Sequence, residues 1–211
     1  MKNNAMDLEG LIKKSSKHVL TMLSDKLSTD LFYHNVRHTL DVVTSTVTIA
    51  ETSRVSYNEF CLLQIAAWFH DTGFCNNYCH HEDTSKSIAE QFLQNHGLPQ
   101  AEIDIVKTCI EATRMPQKPE TLLQEIMCDA DLSHLGCDAY MGSLESLRKE
   151  WETCLEKSYN DDEWLKLNIE FLSQHKYFTE YGQRILEPLK QSNLERLREM
   201  SKARGPVAFV R

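Results

Sequence analysis

An all-α fold is predicted, on three observations. Helix formers dominate the 211 residues, while Gly (7) and Pro (5) are scarce. Apolar residues recur at helical spacing along most of the chain. The interruptions are short and coincide with Gly, Pro or Ser/Thr/Asp clusters. Hydrophobic residues make up 41%, enough for one core, so a single domain is expected over 1–204 with a loose tail at 205–211.

The elements follow in order. Residues 1–7 read as a frayed start. Residues 8–27 form an amphipathic segment that Leu27-Ser28-Thr29-Asp30 breaks. A helix is expected from Asn35 to about Arg54, and another over 57–71. From Phe60 to Phe69 only Gln64 is polar, so this helix should be buried nearly all round. Ile88, Ala89, Phe92, Leu93 and His96 share one face of the next helix. Gly97 and Pro99 separate it from a helix over about 100–112, with Ile103, Val106 and Ile110 in register. Pro116 and Pro119 make 113–120 a loop. Helices are expected over about 122–135 and 138–158, and Asp161-Asp162 opens another marked by Trp164, Leu167, Phe171 and Leu172. Phe178, Tyr181, Ile185 and Leu189 mark the last helix, which Pro188 should kink and Gly205-Pro206 should stop. The total is about eight or nine helices.

The net charge is −8 and no basic surface is evident, which argues against nucleic-acid binding. No apolar run is long enough to span a bilayer and no signal region is visible. The seven cysteines are an odd number, so free thiols in a reducing cytoplasm are expected.

The chemistry concentrates in three places. Tyr33-His34-Asn35-Val36-Arg37-His38 carries two histidines that one helical turn would place on the same face. His70-Asp71 closes the most apolar helix, where ionisable groups without partners are costly. A metal ion would be the partner, which makes His38, His70 and Asp71 the first-choice ligands. A fourth should come from Asp129-Ala130-Asp131. Residues two apart on a helix point about 200° apart, so only one of these aspartates can face the ion. Imidazole and carboxylate together are harder than the thiolate sets of structural zinc and suit Mg, Mn, Fe or Zn with open positions for water. Cys75, Cys79, His80 and His81 have tolerable spacing for a zinc loop, but no second cysteine pair closes it. Cys61, Cys109, Cys128, Cys137 and Cys154 read as small buried apolar residues.

The arrangement His38, His70-Asp71, Asp131 resembles the HD-domain superfamily of metal-dependent phosphohydrolases, over roughly residues 30–140. The resemblance implies an HD-type helical bundle, with the remaining helices as a C-terminal extension. The 33–38 segment resembles the corresponding part of cyclic-nucleotide phosphodiesterases, where the first histidine is the general acid and the second binds metal. It implies His34 as proton donor and His38, His70, Asp71 and Asp131 as metal ligands. The family's last aspartate follows a small residue and precedes an apolar one, as Ala130-Asp131-Leu132 does. Asp129 then becomes the expected acceptor for a ligand imidazole N–H. His81-Glu82-Asp83-Thr84-Ser85 resembles a His-Glu-x-x-Ser segment of HD proteins with extra ligands. This implies that His81 binds a second metal or its water, that Glu82 orients that water, and that Asp71 bridges and takes part in catalysis. Those proteins often carry a further histidine after the next helix, where this chain has Ala112-Thr113-Arg114.

The expected activity is hydrolysis of a nucleotide phosphoester, in its sharper form a cyclic-nucleotide phosphodiester, with one or two divalent ions (Mn, Mg, Fe or Zn). Water activated by the metal would attack phosphorus in line, and His34 would protonate the leaving alkoxide. Arg114 or Arg37 would neutralise phosphate oxygens. Two alternatives use the same residues: a nucleotide 5'-monophosphatase, and a non-catalytic HD domain that holds metal and ligand. The expected partner is a small phosphoester, with no membrane and no nucleic acid, and a homodimer is compatible with the sequence.

Overall fold

The computed structural model describes residues 6–204. Among them are nine α-helices and no strand. Helix α1 spans Leu8–Lys26, α2 Val36–Glu51, α3 Tyr57–Phe69, α4 His81–Asn95 and α5 Gln100–Ala112. Helix α6 spans Leu122–Asp131, α7 Tyr140–Cys154, α8 Asp161–Gln174 and α9 Glu187–Arg204. Residues 1–5 and the expected tail at 205–211, with its Gly205-Pro206 stop, lie outside the described residues.

Side chains satisfy free N–H groups at five of the helix starts, whereas α4, α5 and α7 begin without a side-chain cap. Asp7, Asn35, Ser56, Thr121 and Asn160 each accept from the first turn of the helix that follows. Glu59 and Glu163 close capping boxes on α3 and α8. Helix α3 is buried nearly all round and packs against α1, α2, α4, α5 and α6. Leu62, Leu63, Ile65 and Phe69 are wholly buried, each contributing about 2 kcal/mol through water exclusion. A second core is built on α7, α8 and α9 with Leu132, Leu135 and Tyr140.

Two expectations, on the sixth helix and on the cysteines, are corrected, and the region of Pro188 gains detail. The helix expected over 122–135 ends at Asp131 and is followed by a 3₁₀ turn, Ser133–Gly136. The last helix meets Pro188 through a widened turn, Gly182–Leu186, in which the Glu187 N–H donates to the Gly182 carbonyl. That turn comes just before a residue with no N–H of its own to donate. Cys61, Cys109 and Cys128 are buried as expected, whereas Cys137 is exposed and Cys154 half-buried.

Asp129 is also reassigned. It is wholly buried, and its carboxylate accepts from the Phe178 N–H at 2.9 Å, the Thr179 N–H at 2.8 Å and the Thr179 hydroxyl at 2.6 Å. It therefore anchors the start of the last helix and receives no imidazole N–H. The cause is the helical period, which turns Asp129 to the opposite side from Asp131. Gly182 allows the close approach, because a Cβ there would lie 2.3 Å from Asp129 Oδ2. Asp129→Ala leaves two backbone N–H groups without an acceptor and should cost about 2–4 kcal/mol in chemical denaturation. Metal affinity of the folded variant should be unchanged; a weakened ion in a fully stable protein would restore the role first expected of Asp129.

Candidate metal centre

The ends of helices place each side chain. The Asn35 side chain accepts from the Arg37 N–H at 2.9 Å and the His38 N–H at 3.4 Å, which starts α2 and fixes His38 in its first turn. His34 precedes this cap, so the two histidines do not share a helix as their spacing suggested. They meet nevertheless, with ring centroids 5.6 Å apart. His70 and Asp71 follow α3 directly and lead into the turn Thr72–Cys75. Gly73 in this turn lies against α4: a Cβ there would be 1.9 Å from the His81 carbonyl oxygen. The Gly73 N–H donates to Ser85 Oγ at 2.8 Å. This ties the His70-Asp71 turn to the helix that begins with His81 and Glu82. Asp131 is the last residue of α6.

These elements bring His38, His70, Asp71 and Asp131 together. Asp71 Oδ2 lies 3.2 Å from both His38 Nε2 and His70 Nε2. Asp131 Oδ1 lies 3.3 Å and 3.6 Å from the same two nitrogens, which are 3.4 Å apart. Yet Asp71 Oδ2, buried, makes no hydrogen bond of acceptable geometry. Such convergence of donor atoms suits a cation between them better than it suits hydrogen bonding among them. His70 Nδ1 donates to the Ala67 carbonyl at 2.8 Å, which aims Nε2 at the cluster. His38, His70 and Asp71 thus form a buried group, with ligand atoms within 4.8 Å of one another, that could hold a metal ion.

An ion at this site would displace protons that the facing carboxylates favour on the imidazoles. Burial disfavours a charged His38, but hydrogen bonds to Asp131 and Asp71 outweigh it and lift its pKa to about 10. Burial also disfavours an ionised Asp71, but the charge on His70 and the close approach of three imidazoles hold it well below the usual carboxylate range. Both Asp71 and Asp131 are held ionised, so a divalent ion here meets carboxylates that need not lose a proton.

A second group adjoins the first. His81 Nε2 lies 3.3 Å from Asp71 Oδ1 and 3.8 Å from Glu82 Oε1. Thr113 faces the same cavity, but its hydroxyl donates to the Ile110 carbonyl at 2.8 Å. Arg114 also lines the cavity, with its guanidinium committed to Glu111 at 2.6 Å, Asp83 at 2.9 Å and Glu82 at 3.0 Å. Three carboxylates compensate that charge, so Arg114 holds Glu82 in place and is not a free phosphate clamp. Arg37 is corrected outright: its side chain is 86% exposed and lies 3.8 Å from Asp41. It is one residue from His38, and a step of about 100° along the helix points it to solvent. The zinc loop does not form either, since Cys79 is exposed and Cys75 Sγ turns to the Met22 carbonyl.

Glu150 is the functional candidate the sequence reading missed. It is wholly buried on α7 and accepts from the Tyr33 N–H at 2.8 Å, the His34 N–H at 3.0 Å and the Tyr78 hydroxyl at 2.9 Å. Its other contact is with His34 Nδ1. The His34 ring is stacked on Phe74, which stacks in turn on His81, with centroids 4.4 Å and 3.8 Å apart. One signal was available: Glu150 falls one turn after Leu147 and beside Trp151, on the apolar stripe of its helix. His134 also belongs here. Its Nδ1 lies 2.9 Å from the Tyr33 hydroxyl, and burial with the facing His38 pushes its pKa down to about 4.

A cavity of about 760 Å³ opens over these groups. His34, Asp71, His81 and Asp131 are in its lining, together with aromatic and aliphatic residues of α7 and α8, Lys157 and Asn168. No protein-family model, curated protein or solved structure matches the chain. No helix among the described residues is long and apolar enough to cross a membrane.

The cluster can be tested without any substrate. Added Mn or Zn should raise the thermal midpoint of the wild-type protein, because an ion that binds only the folded state stabilises it. His70→Ala should abolish that rise and lower affinity by about 100-fold in equilibrium dialysis. An equal thermal shift in both proteins would remove His70 from the site.

Proposed function

We propose that this protein is a metal-dependent phosphohydrolase that cleaves a nucleotide phosphoester, with a cyclic-nucleotide phosphodiester as the sharpest form of the reading. One observation carries it: a histidine held by a buried carboxylate stands beside a His/Asp cluster whose two aspartates line one cavity. A protein that only held metal would have no use for the His34–Glu150 pair. Charge supports the same reading. Asp71, Asp131 and Glu82 line the cavity, its Arg114 is already paired and Lys157 is the other cationic side chain in its lining, so a cation beside the carboxylates would favour the approach of a phosphoester. The resemblance of His34, His38, His70-Asp71 and Asp131 to HD phosphohydrolases points the same way.

The residues then divide the work. His38, His70, Asp71 and Asp131 would hold a divalent ion, of the Mn, Mg, Fe or Zn class, which supplies Lewis acidity toward water and phosphoryl oxygens. His81 and Glu82 stand where they can orient the attacking water, through imidazole and carboxylate beside Asp71. As the P–O bond to the leaving group breaks, the departing alkoxide oxygen takes a proton from His34. Glu150 engages Nδ1 and leaves Nε2 as the donating atom. Phe74 keeps the ring from turning.

Purified protein assayed with each metal against cyclic nucleotides, nucleoside monophosphates and simple phosphodiesters tests the activity. Turnover of none of them would end the proposal. His34→Ala should lower kcat on an alkoxide-leaving substrate by about 100-fold or more while the ion stays bound, and unchanged turnover would refute the acid role.

Glu150 makes a prediction about pH. Burial favours its neutral form, but hydrogen bonds from His34 and from the backbone of residues 33 and 34 hold its pKa below the ordinary glutamate value of 4.5. The unfolded chain therefore takes up this proton first as the pH falls. The stabilisation is complete above the unfolded value and is lost with acidification through and below it. Wild-type protein should lose stability between about pH 5 and about pH 3 more steeply than Glu150→Gln, and parallel curves in denaturant titrations would contradict this.

A further inference from the structure

The contact between the last two helices contains a buried lysine whose ammonium donors are all taken. Lys190 of α9 is wholly buried. It donates to Glu187 Oε2 at 2.9 Å, to the His175 carbonyl, and to His175 Nδ1 at 3.4 Å. His175 follows α8 directly, and its backbone N–H donates to the Phe171 carbonyl at 2.9 Å. Lys190 thus fastens α9 to the end of α8. Trp164, Leu167, Asn168 and Phe171 of that helix are in the lining of the cavity.

The partner of His175 decides its tautomer. An ammonium can only donate, so Nδ1 accepts and the ring proton sits on Nε2. Nε2 is buried and makes no hydrogen bond. A second proton can therefore go only to Nδ1, the atom that faces the Lys190 ammonium. Protonation would break that hydrogen bond and set two cations side by side. The other groups that face the ring do not offset this. Glu187 supplies one carboxylate, already engaged by Lys190 and, at 2.7 Å, by the Gln191 amide. Tyr177 stands edge-on, 4.6 Å between centroids, and its hydroxyl donates to the Leu132 carbonyl at 3.0 Å.

We propose that Lys190 and His175 form a pH-sensitive clasp that holds α9 to the end of α8 and loosens in mild acid. Burial and the charge of Lys190 push the His175 pKa from 6.5 down to about 4. Once the clasp opens, the ring returns to its ordinary value, so the open state takes up the proton first. The clasp is at full strength above about pH 6.5 and weakens as the pH falls toward about 4. Acid thereby frees the end of a helix that forms part of the cavity wall. The clasp makes no use of the metal ligands, so it stands apart from the phosphohydrolase reading.

Amide hydrogen exchange of the full chain at about pH 7.5 and about pH 5.5, corrected for the intrinsic effect of pH on exchange, tests the clasp. Protection of the amides of residues 171–175 and 190–194 should fall about tenfold in the wild-type protein across this interval, as linkage between values of 6.5 and about 4 requires. His175→Asn keeps an acceptor for Lys190 but takes up no proton, so protection of the same amides should stay level. No fall in the wild-type protein, or an equal fall in both, overturns the proposal. If the variant does not fold, the NMR titration of the His175 ring in the wild-type protein decides. A midpoint below about pH 5 upholds the clasp, and one near the ordinary value of 6.5 overturns it.

Discussion

Asp71 sits between three imidazoles, at the end of the most buried helix in the molecule, with Asp131 opposite. Placing that many ionisable groups in an apolar interior is the constraint on which the other features depend. Any one of them left unpaired would cost several kcal/mol, a large share of what a domain of this size has to spare. The fold meets the constraint by bringing the groups together from four separate segments, so that each carboxylate faces more than one imidazole. A divalent ion satisfies the same requirement more fully, because it replaces a shared set of protons with a single centre of charge.

The supports of the cluster follow from the need for accuracy. Each residue is delivered by a helix end, and a capping or backbone contact fixes each end. Asn35 starts the helix of His38, the Ala67 carbonyl orients His70, and Ser85 ties the Asp71 turn to the helix of His81. Ser85 also gives a structural reason for the His-Glu-x-x-Ser spacing: it receives the Gly73 N–H one turn after the residues that line the site. Asp129 secures the last helix against the face of α6 opposite to the cluster, so one short helix serves both the site and the attachment of the C-terminal half.

The helices were legible because their periodicity is local, and the all-α architecture follows from that. So was the grouping of His38 with His70-Asp71 and an aspartate near 130, since imidazole and carboxylate at the end of an apolar helix need a shared partner. What was not legible depends on direction or on distance along the chain. Arg37 adjoins His38 in sequence yet points to solvent. Arg114 reaches the cavity, but its three carboxylate partners come from two helices that the pattern does not bring together. Glu150 is separated from His34 by 116 residues and sits in a charged run, Arg148-Lys149-Glu150, that reads as solvated surface. The helical relation assumed for His34 and His38 failed because Asn35 caps the helix between them, although the rings still meet.

The pairing of His34 with Glu150 also bears on the order in which the molecule becomes competent. His38, His70, Asp71 and Asp131 all belong to the half built around α3, whereas Glu150 comes from α7 and the second core. A chain in which only the first half has folded would contain the groups that attract an ion but not the carboxylate that sets the proton donor. The donor would be set only once α7 has docked. On the proposed phosphohydrolase reading, a half-assembled molecule could hold an ion before it could protonate a leaving group.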